Sequence, residues 1–141
     1  MVRSIWSRLL HLAPGANLGR RGEREAARYL ARQGLRLLER NARVGRGELD
    51  LVAIEGAALV FVEVKSRTGR ADDDETGRNG LERIHPAKLR ILRQACGRYR
   101  RPAGARFEGA RLDAITVEFE PSWLRPRVRE VKWYRGIVDL G

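Results

Sequence analysis

Apolar residues recur with a helical period in two parts of the chain. From Leu18 to Gln33 they are spaced three and four residues apart, which places them on one face of an α-helix, and Gly34 follows as a typical helix terminator. A second helical pattern starts at Pro86, which suits the first turn of a helix, and continues to about Arg100. We therefore predict two helices.

The segments between and after these helices have the composition of β-strands. Three runs, LRLLERN, GELDLVAI and ALVFVEVKSR, follow the first helix, and their β-branched and aromatic content rises along the chain. Two more, RLDAITVEF and VREVKWY, follow the second helix and are separated by a connection from Pro121 to Pro126. The predicted order is α-β-β-β-α-β-β, an α/β fold in which the first three strands form a meander.

The pattern predicts a single domain over residues 18–141, preceded by an N-terminal arm of residues 1–17. The apolar run of the arm is interrupted by Arg8 and His11, so we do not expect a signal peptide. No segment approaches the roughly 20 apolar residues of a membrane span, and we expect a cytoplasmic protein with no membrane partner. Residues 69–80 combine glycines with consecutive acids and no hydrophobic period, which predicts a mobile loop.

Charge favours a polyanionic partner. The chain has 29 Lys and Arg against 18 Asp and Glu, a net charge of +11, and most of the cations are arginine. Guanidinium groups bind phosphate bidentately and stack on bases, which indicates nucleic acid. An arginine-biased protein from a GC-rich genome would have the same composition, so charge alone does not separate the two interpretations. Cys96 is the only cysteine, which excludes an internal disulfide and a cysteine-cluster metal site.

Charged residues interrupt two strands that otherwise have a buried pattern. Alternation in GELDLVAI places Glu48, Asp50, Val52 and Ile54 on one face, and Leu49, Leu51 and Ala53 on the other. In ALVFVEVK, Leu59, Phe61, Glu63 and Lys65 share a face opposite Val60, Val62 and Val64. A charge in such a position needs a partner, a metal ion or solvent to remain ionised.

The turn between these strands brings their charges together. If Gly56 and Ala57 form a two-residue turn of the II′ type, Asp50 faces Glu63, and by the same register Glu48 faces Lys65. A longer turn with a bulge would shift this register by about one residue. Two facing carboxylates favour either protonation of one of them or a divalent cation between them.

Magnesium, or manganese, fits such a carboxylate pair best, because it binds oxygen ligands and can share them with a substrate phosphate. Lys65 would orient or help to deprotonate the attacking water, or stabilise the transition state of phosphodiester hydrolysis. The alternative is a surface ion-pair network near the sheet edge.

On the first helix, Glu23 is the anomalous charge. It lies at the centre of an apolar arc formed by Ala26, Ala27, Leu30 and Ala31, whereas Glu25 shares the opposite face with arginines. Considered alone, Glu23 could simply favour the helix dipole from the first turn and reach water.

Asp50, followed one hairpin later by Glu63-Val64-Lys65, resembles the PD-(D/E)xK signature of restriction-endonuclease-like nucleases. The surrounding segments GEREAARYLARQG, NARVGRGELDLVA and LVFVEVKSR resemble the bacterial YraN-like family, which is similar to archaeal Holliday-junction resolvases. Leu49 stands where the signature has its proline.

The resemblance implies a restriction-endonuclease-like α/β core with a central mixed sheet of about five strands flanked by helices. Asp50, Glu63 and Glu23 would be metal ligands, with Lys65 completing the catalytic set. Glu23 is included because Glu23-Arg24-Glu25 matches the helix-one context of resolvases.

Several further residues are weaker candidates. Glu48 is either an extra ligand or a partner of Lys65, and Lys88 is either a site residue or a side chain that extends to solvent from the helix edge. His85 and the acids from Asp72 to Glu75 are assigned no site role. The arginines expected to contact nucleic acid are Arg24, Arg67, Arg90 and Arg93.

The sequence therefore predicts a magnesium-dependent or manganese-dependent endonuclease that hydrolyses DNA, with branched DNA as one candidate substrate. A resolvase cuts two strands symmetrically, so that version requires a homodimer, and we expect its surface near Trp123 or the N-terminal arm. The alternative function is a non-catalytic nucleic-acid-binding or scaffold protein on the same fold.

Overall fold

The computed structural model describes residues 18–68, 85–102, 106–122 and 125–141. The N-terminal arm, the loop of residues 69–80 and Trp123 lie outside these ranges, so the predictions for them stay predictions. The secondary-structure elements follow the predicted order. They are α1 (Leu18–Arg32), β1 (Arg36–Val44), β2 (Gly47–Glu55), β3 (Ala58–Thr68), α2 (Pro86–Arg100), β4 (Gly109–Phe119) and β5 (Val128–Asp139).

Both helices have clear end signals. Helix α1 ends in a Schellman motif, in which the Leu35 amide donates to the Leu30 carbonyl at 3.0 Å and the Gly34 amide donates to the Ala31 carbonyl at 3.1 Å. Gly34 has the positive φ of 92° that this motif requires. At the start of α2, His85 Nδ1 accepts a hydrogen bond from the Ala87 amide at 3.2 Å. His85 is therefore a helix cap.

The five strands form one mixed sheet in the order β1-β2-β3-β4-β5. The first three strands form the predicted antiparallel meander. Strand β4 then runs parallel to β3, which requires the crossover through α2, and β5 pairs with it antiparallel. No helix in the described part of the chain is long and apolar enough to cross a membrane.

The turn between β2 and β3 has the predicted geometry. Gly56 has a φ of 59°, and Ala57 is not among the described residues with positive φ, which is the combination of a type II′ turn. The register follows, with Glu55 opposite Ala58 and Leu51 opposite Val62. Pairing ends there, so Asp50 and Glu63 occupy the next position, where the two strands begin to separate.

Two apolar clusters fill the two sides of the sheet. The α1 side contains Leu30 with Leu51, Val62 and Val117, whereas the α2 side contains Leu92 with Val52, Phe61, Leu112 and neighbouring residues. Ala31, placed on the apolar arc of α1 from the sequence, is exposed. It lies in the last turn of the helix, where the arc has begun to rotate away from the sheet.

The predicted alternation along β2 is wrong at its first half. Leu49 packs in the α2-side cluster together with Val52, although Leu51 lies on the α1 side as expected. Two residues separated by an odd number of positions can share a face only where the strand is irregular. The irregularity lies at Asp50 and at the residue opposite it on β1, Asn41, which has a φ of 49°.

Candidate metal site

Asp50 is held at the point where β2 and β3 separate. Its Oδ2 accepts a hydrogen bond from the Val64 amide at 2.8 Å, so its carboxylate takes a place that a backbone carbonyl would occupy in a continued ladder. Glu63, the residue before Val64, is half-buried and close enough to act electrostatically on Asp50. The structure thus brings together the first two predicted ligands.

The Asp50 carboxyl is strongly perturbed. Burial raises its pKa from 3.8 to about 7, the hydrogen bond from Val64 opposes this effect, and the negative charges of Glu63 and Glu23 add to the increase. The positive charge of Lys88 opposes the rise, but its effect is the smallest of these. The positive charge near Asp50 therefore does not balance the negative charge of the carboxylates around it.

Helix α1 brings Glu23 to the same place through a close contact with β3. A Cβ on Gly22 would lie 1.7 Å from Ser66 Oγ, so the helix lies on the strand at a distance that only glycine permits. Glu23, the next residue, is half-buried, and burial is the main cause of its raised pKa. Glu25 pairs instead with Arg28 at 3.1 Å on the outer face, as the helical pattern predicted.

Glu48 lies beside Glu23, and Asn41 bridges them. With its amide nitrogen turned toward the two carboxylates, Asn41 Nδ2 lies 3.1 Å from Glu23 Oε2 and 3.2 Å from Glu48 Oε1. The negative charge of Glu48 contributes to the raised pKa of Glu23. The β2–β3 ladder ends before Glu48, so Glu48 does not pair with Lys65 across it.

Sequence reasoning missed Asn41. The available signal was that asparagine is among the non-glycine residues that most readily adopt a left-handed conformation.

Lysines approach the site from two elements. Lys65 lies two residues beyond Glu63 on β3 and is half-buried. Lys88 extends from α2, and its Nζ donates to the Glu48 carbonyl oxygen at 3.2 Å. A Cβ on Gly47 would come within 2.6 Å of Ile91, so glycine allows α2 to approach the start of β2 closely. Lys88 is thus directed to the site end of the sheet.

The predicted arginine contacts are dispersed. Arg67 forms an ion pair with Glu118 at 2.8 Å and is partly buried. Arg24 lies on α1, whereas Arg90 and Arg93 lie on α2, and all three are exposed. The structure does not gather these four residues into one surface.

The acidic residues are near one another without forming a ready-made metal cage. Within the described ranges, no group of three His, Cys, Asp or Glu side chains already has the arrangement of metal ligands. Glu23 and Glu63 approach Asp50 from different elements, and both act on it electrostatically. Side-chain rotation of these glutamates is therefore the change that metal coordination would require.

A second charged cluster lies at the other end of β2 and was not predicted. Asp113 on β4 is fully buried and accepts hydrogen bonds from Arg111 Nε at 2.8 Å, Trp133 Nε1 at 3.0 Å and the Gly136 amide at 2.7 Å. Arg111 also contacts Glu55 at 3.1 Å. Gly136 has a φ of 61° and lies where the β4–β5 register shifts, so Asp113 fixes a β-bulge in the edge strand.

The comparisons with known proteins agree with the motifs. The model of "Uncharacterised protein family UPF0102" matches residues 22–117. A UPF0102 protein from Mycolicibacterium vanbaalenii is 38% identical over 125 residues, which cover 87% of this chain and 94% of that relative. Another from Alkalilimnicola ehrlichii is 42% identical over 116 residues, covering 80% and 87%.

Among solved structures, the chain is similar to "The structure of Pyrococcus Furiosus SfsA in complex with Ca2+", with 16% identity and a TM-score of 0.33. The match covers 88% of this chain and 63% of that one. The family match and the relatives confirm the resemblance found in the segments around Glu23, Asp50 and Glu63. This chain belongs to the uncharacterised protein family UPF0102, the YraN-like proteins.

Proposed function

We propose that this protein is a magnesium-dependent or manganese-dependent endonuclease that hydrolyses DNA phosphodiesters in the cytoplasm. One observation carries the proposal. Asp50 has two acidic neighbours, and its main hydrogen bond comes from a neutral backbone amide, so burial and repulsion raise its pKa to about 7. Strongly perturbed carboxyl groups of this kind are typical of functional sites, and a divalent cation would relieve the perturbation.

The donor set fits magnesium or manganese. The candidate ligands are the carboxylate oxygens of Asp50, Glu63 and Glu23, and hard divalent cations prefer oxygen donors. Such a cation would polarise the phosphodiester and stabilise the negative charge that develops during hydrolysis. Within the described ranges, cysteine and histidine offer no competing site, because Cys96 is in the apolar core and His85 caps α2.

The lysines would supply the remaining chemistry. Lys65, two residues beyond Glu63, would orient the attacking water or stabilise the charged transition state. Lys88, held against the Glu48 carbonyl, places a second ammonium group near the carboxylates, where it acts on Asp50 electrostatically. Two cations near a carboxylate cluster would help to bind an anionic substrate despite the local negative charge.

A groove next to α1 would hold the nucleic-acid backbone. It has a volume of about 550 Å³ and is lined by Arg21, Arg125 and Arg127, with Ser122 and Val128 nearby. Arg21 stacks over the Phe119 ring at 5.1 Å. Glu25, the acid at the rim, is already paired with Arg28. Three guanidinium groups around an open groove fit phosphate oxygens.

The test is cleavage of linear and four-way-junction DNA under a magnesium and manganese titration. Asp50→Asn removes a metal ligand at constant shape and should lower the cleavage rate by at least about 100-fold. Arg32→Gln, an exposed change at the far end of α1, is the matched control and should leave the rate unchanged. Preferential cleavage of the junction would favour a resolvase, which acts as a two-fold dimer.

One observation favours the non-catalytic alternative, namely that no three acidic groups are already arranged as ligands in the described ranges. In that case the protein would bind DNA without metal, Asp50→Asn would bind as tightly as wild type, and neither would cleave. That combination would overturn the endonuclease in favour of a nucleic-acid-binding scaffold.

A further inference from the structure

Asn41 has an unusual backbone conformation at a defined place in the sheet. Its φ is 49°, and it is the only described non-glycine residue with positive φ. Its neighbours Arg40 and Ala42 pair with Leu51 and Leu49, so Asn41 lies directly opposite Asp50. A left-handed residue in the middle of a strand normally costs free energy, and such residues are concentrated at functional sites.

This conformation changes which way the ends of β1 and β2 face. Beyond Asn41, Ala42 and Val44 pack in the α2-side cluster, and on the paired strand Leu49 joins Val52 there. The residue between Leu49 and Gly47 is thereby turned to the other side. That residue is Glu48, and it faces the α1 side, where Glu23 lies.

The side chain of Asn41 uses the same location. In the orientation in which the amide donates to the two carboxylates, its nitrogen lies 3.1 Å from an oxygen of Glu23 and 3.2 Å from one of Glu48. The two protons of a primary amide can satisfy two acceptors at once, and the group carries no charge. Two carboxylates that would otherwise repel each other are therefore held side by side.

We infer that Asn41 is a positioning residue for the metal site. Its left-handed backbone turns Glu48 toward α1, and its amide keeps the Glu23 carboxylate next to the site in the metal-free protein, from where rotation of the side chain brings it to the cation. The inference rests on the proposed function, since it assigns a role within the same site. It adds an uncharged residue to a site that otherwise consists of acidic and basic side chains.

The experiment separates the backbone from the amide. Asn41→Gly keeps the left-handed conformation accessible and removes the amide, so the fold should persist and thermal unfolding confirms it. We expect the Mn²⁺ affinity, measured by calorimetry on the full chain, to fall about 10-fold, as is usual when a residue that orients a ligand is lost. In a Glu23→Ala background the same change should have no further effect, whereas in a Glu63→Ala background it should retain its full effect.

Two results would overturn the inference. One is an Asn41→Gly protein that folds and binds Mn²⁺ as tightly as wild type. The other is an equal loss of affinity in the Glu23→Ala and Glu63→Ala backgrounds, which would show that Asn41 does not act through Glu23.

If the wild type binds no Mn²⁺ at all, the proposed function fails, and the positioning is tested separately. The side-chain amide signals of Asn41 in a ¹⁵N correlation spectrum should shift in Glu23→Ala. Unchanged signals would overturn the contact between the two side chains.

Discussion

The two halves of β2 carry acidic residues in opposite electrostatic situations. Glu55, at one end, accepts hydrogen bonds from Arg135 and Arg111, and the contact with Arg135 is the main reason that its pKa is lowered. Asp50, five residues earlier on the strand, accepts a backbone amide and has acidic neighbours, and its pKa is raised to about 7. We refer to these two regions as the paired end and the acidic end.

Under the proposed function, the difference separates carboxylates that stabilise the fold from carboxylates that would bind a cation. At the paired end the carboxylates are neutralised by arginines, and the fully buried Asp113 also holds the β5 bulge through the Gly136 amide. A buried carboxylate that is saturated with donors stabilises the fold. At the acidic end, Asp50 has no arginine partner among the described residues and has negatively charged neighbours. This arrangement does not stabilise the fold, and it favours binding of a cation from solution.

The largest effect that tests this comparison is on stability at the paired end. Asp113→Asn removes a buried charge and directs an amide toward Arg111, so the free energy of unfolding should fall by about 3 kcal/mol. The matched change at the acidic end, Asp50→Asn, should leave stability in EDTA at neutral pH equal or higher. Denaturant unfolding measures both, and an Asp50→Asn loss as large as that of Asp113→Asn would contradict the distinction.

A smaller effect is expected from the contact that brings α1 to the acidic end. Gly22→Ala places a methyl group where Ser66 lies, and the required displacement of the helix should cost about 2 kcal/mol and weaken Mn²⁺ binding. Gly97→Ala on α2 is the control, because nothing lies within 4 Å of the new methyl group. It should stabilise the protein by about 0.5–1 kcal/mol, since alanine favours a helix interior.

The pH dependence of stability should have opposite signs at the two ends. In EDTA, native Asp50 keeps its proton up to about pH 7 while the unfolded carboxyl loses it near 3.8, so its contribution falls as pH rises through this interval. Glu55 has a lowered pKa, and its contribution is lost as pH falls below its ordinary value of 4.5.

Asp50→Asn should therefore flatten the decline in stability between pH 4 and 7, and Glu55→Gln should flatten the loss on acidification. Urea unfolding at a series of pH values separates the two. An unchanged decline in Asp50→Asn would mean that Asp50 is already ionised in the native protein.

The smallest effect concerns the groove beside α1. The double change Arg125→Gln and Arg127→Gln should weaken DNA binding in EDTA roughly 10-fold and reduce the slope of log K against log salt by about two. The pair Arg90→Gln and Arg93→Gln, on exposed positions of α2, is the comparison. Fluorescence anisotropy measures both, and a larger loss from the α2 pair would move the backbone contact to that helix.

The sequence was sufficient where local chemistry determines the structure. Gly56 fixed the turn, and the turn fixed the register that places Asp50 next to Glu63. Gly34 and Pro86 marked helix ends that the structure confirms. These features depend on residues that are adjacent in the chain.

Features that depend on residues far apart in the chain were harder to predict from the sequence. The left-handed φ of Asn41 changes the face of Glu48, and alternation alone could not predict it. The cluster around Asp113 joins β4 to Trp133 and Gly136 on β5, whose relative register includes a bulge. The sequence left Lys88 as either a site residue or a side chain that extends to solvent, and the close packing of Ile91 against Gly47 is what brings its Nζ to the Glu48 carbonyl.

The most direct test of the central claim is the number of protons released when Mn²⁺ binds. Calorimetry at pH 6 in buffers of different ionisation enthalpy measures it. Because the Asp50 pKa is about 7, the metal must displace a proton, and we expect close to one proton released by wild type and almost none by any residual binding to Asp50→Asn. Binding of Mn²⁺ to wild type without proton release, or with equal release by Asp50→Asn, would contradict the assignment of the acidic end as the metal site.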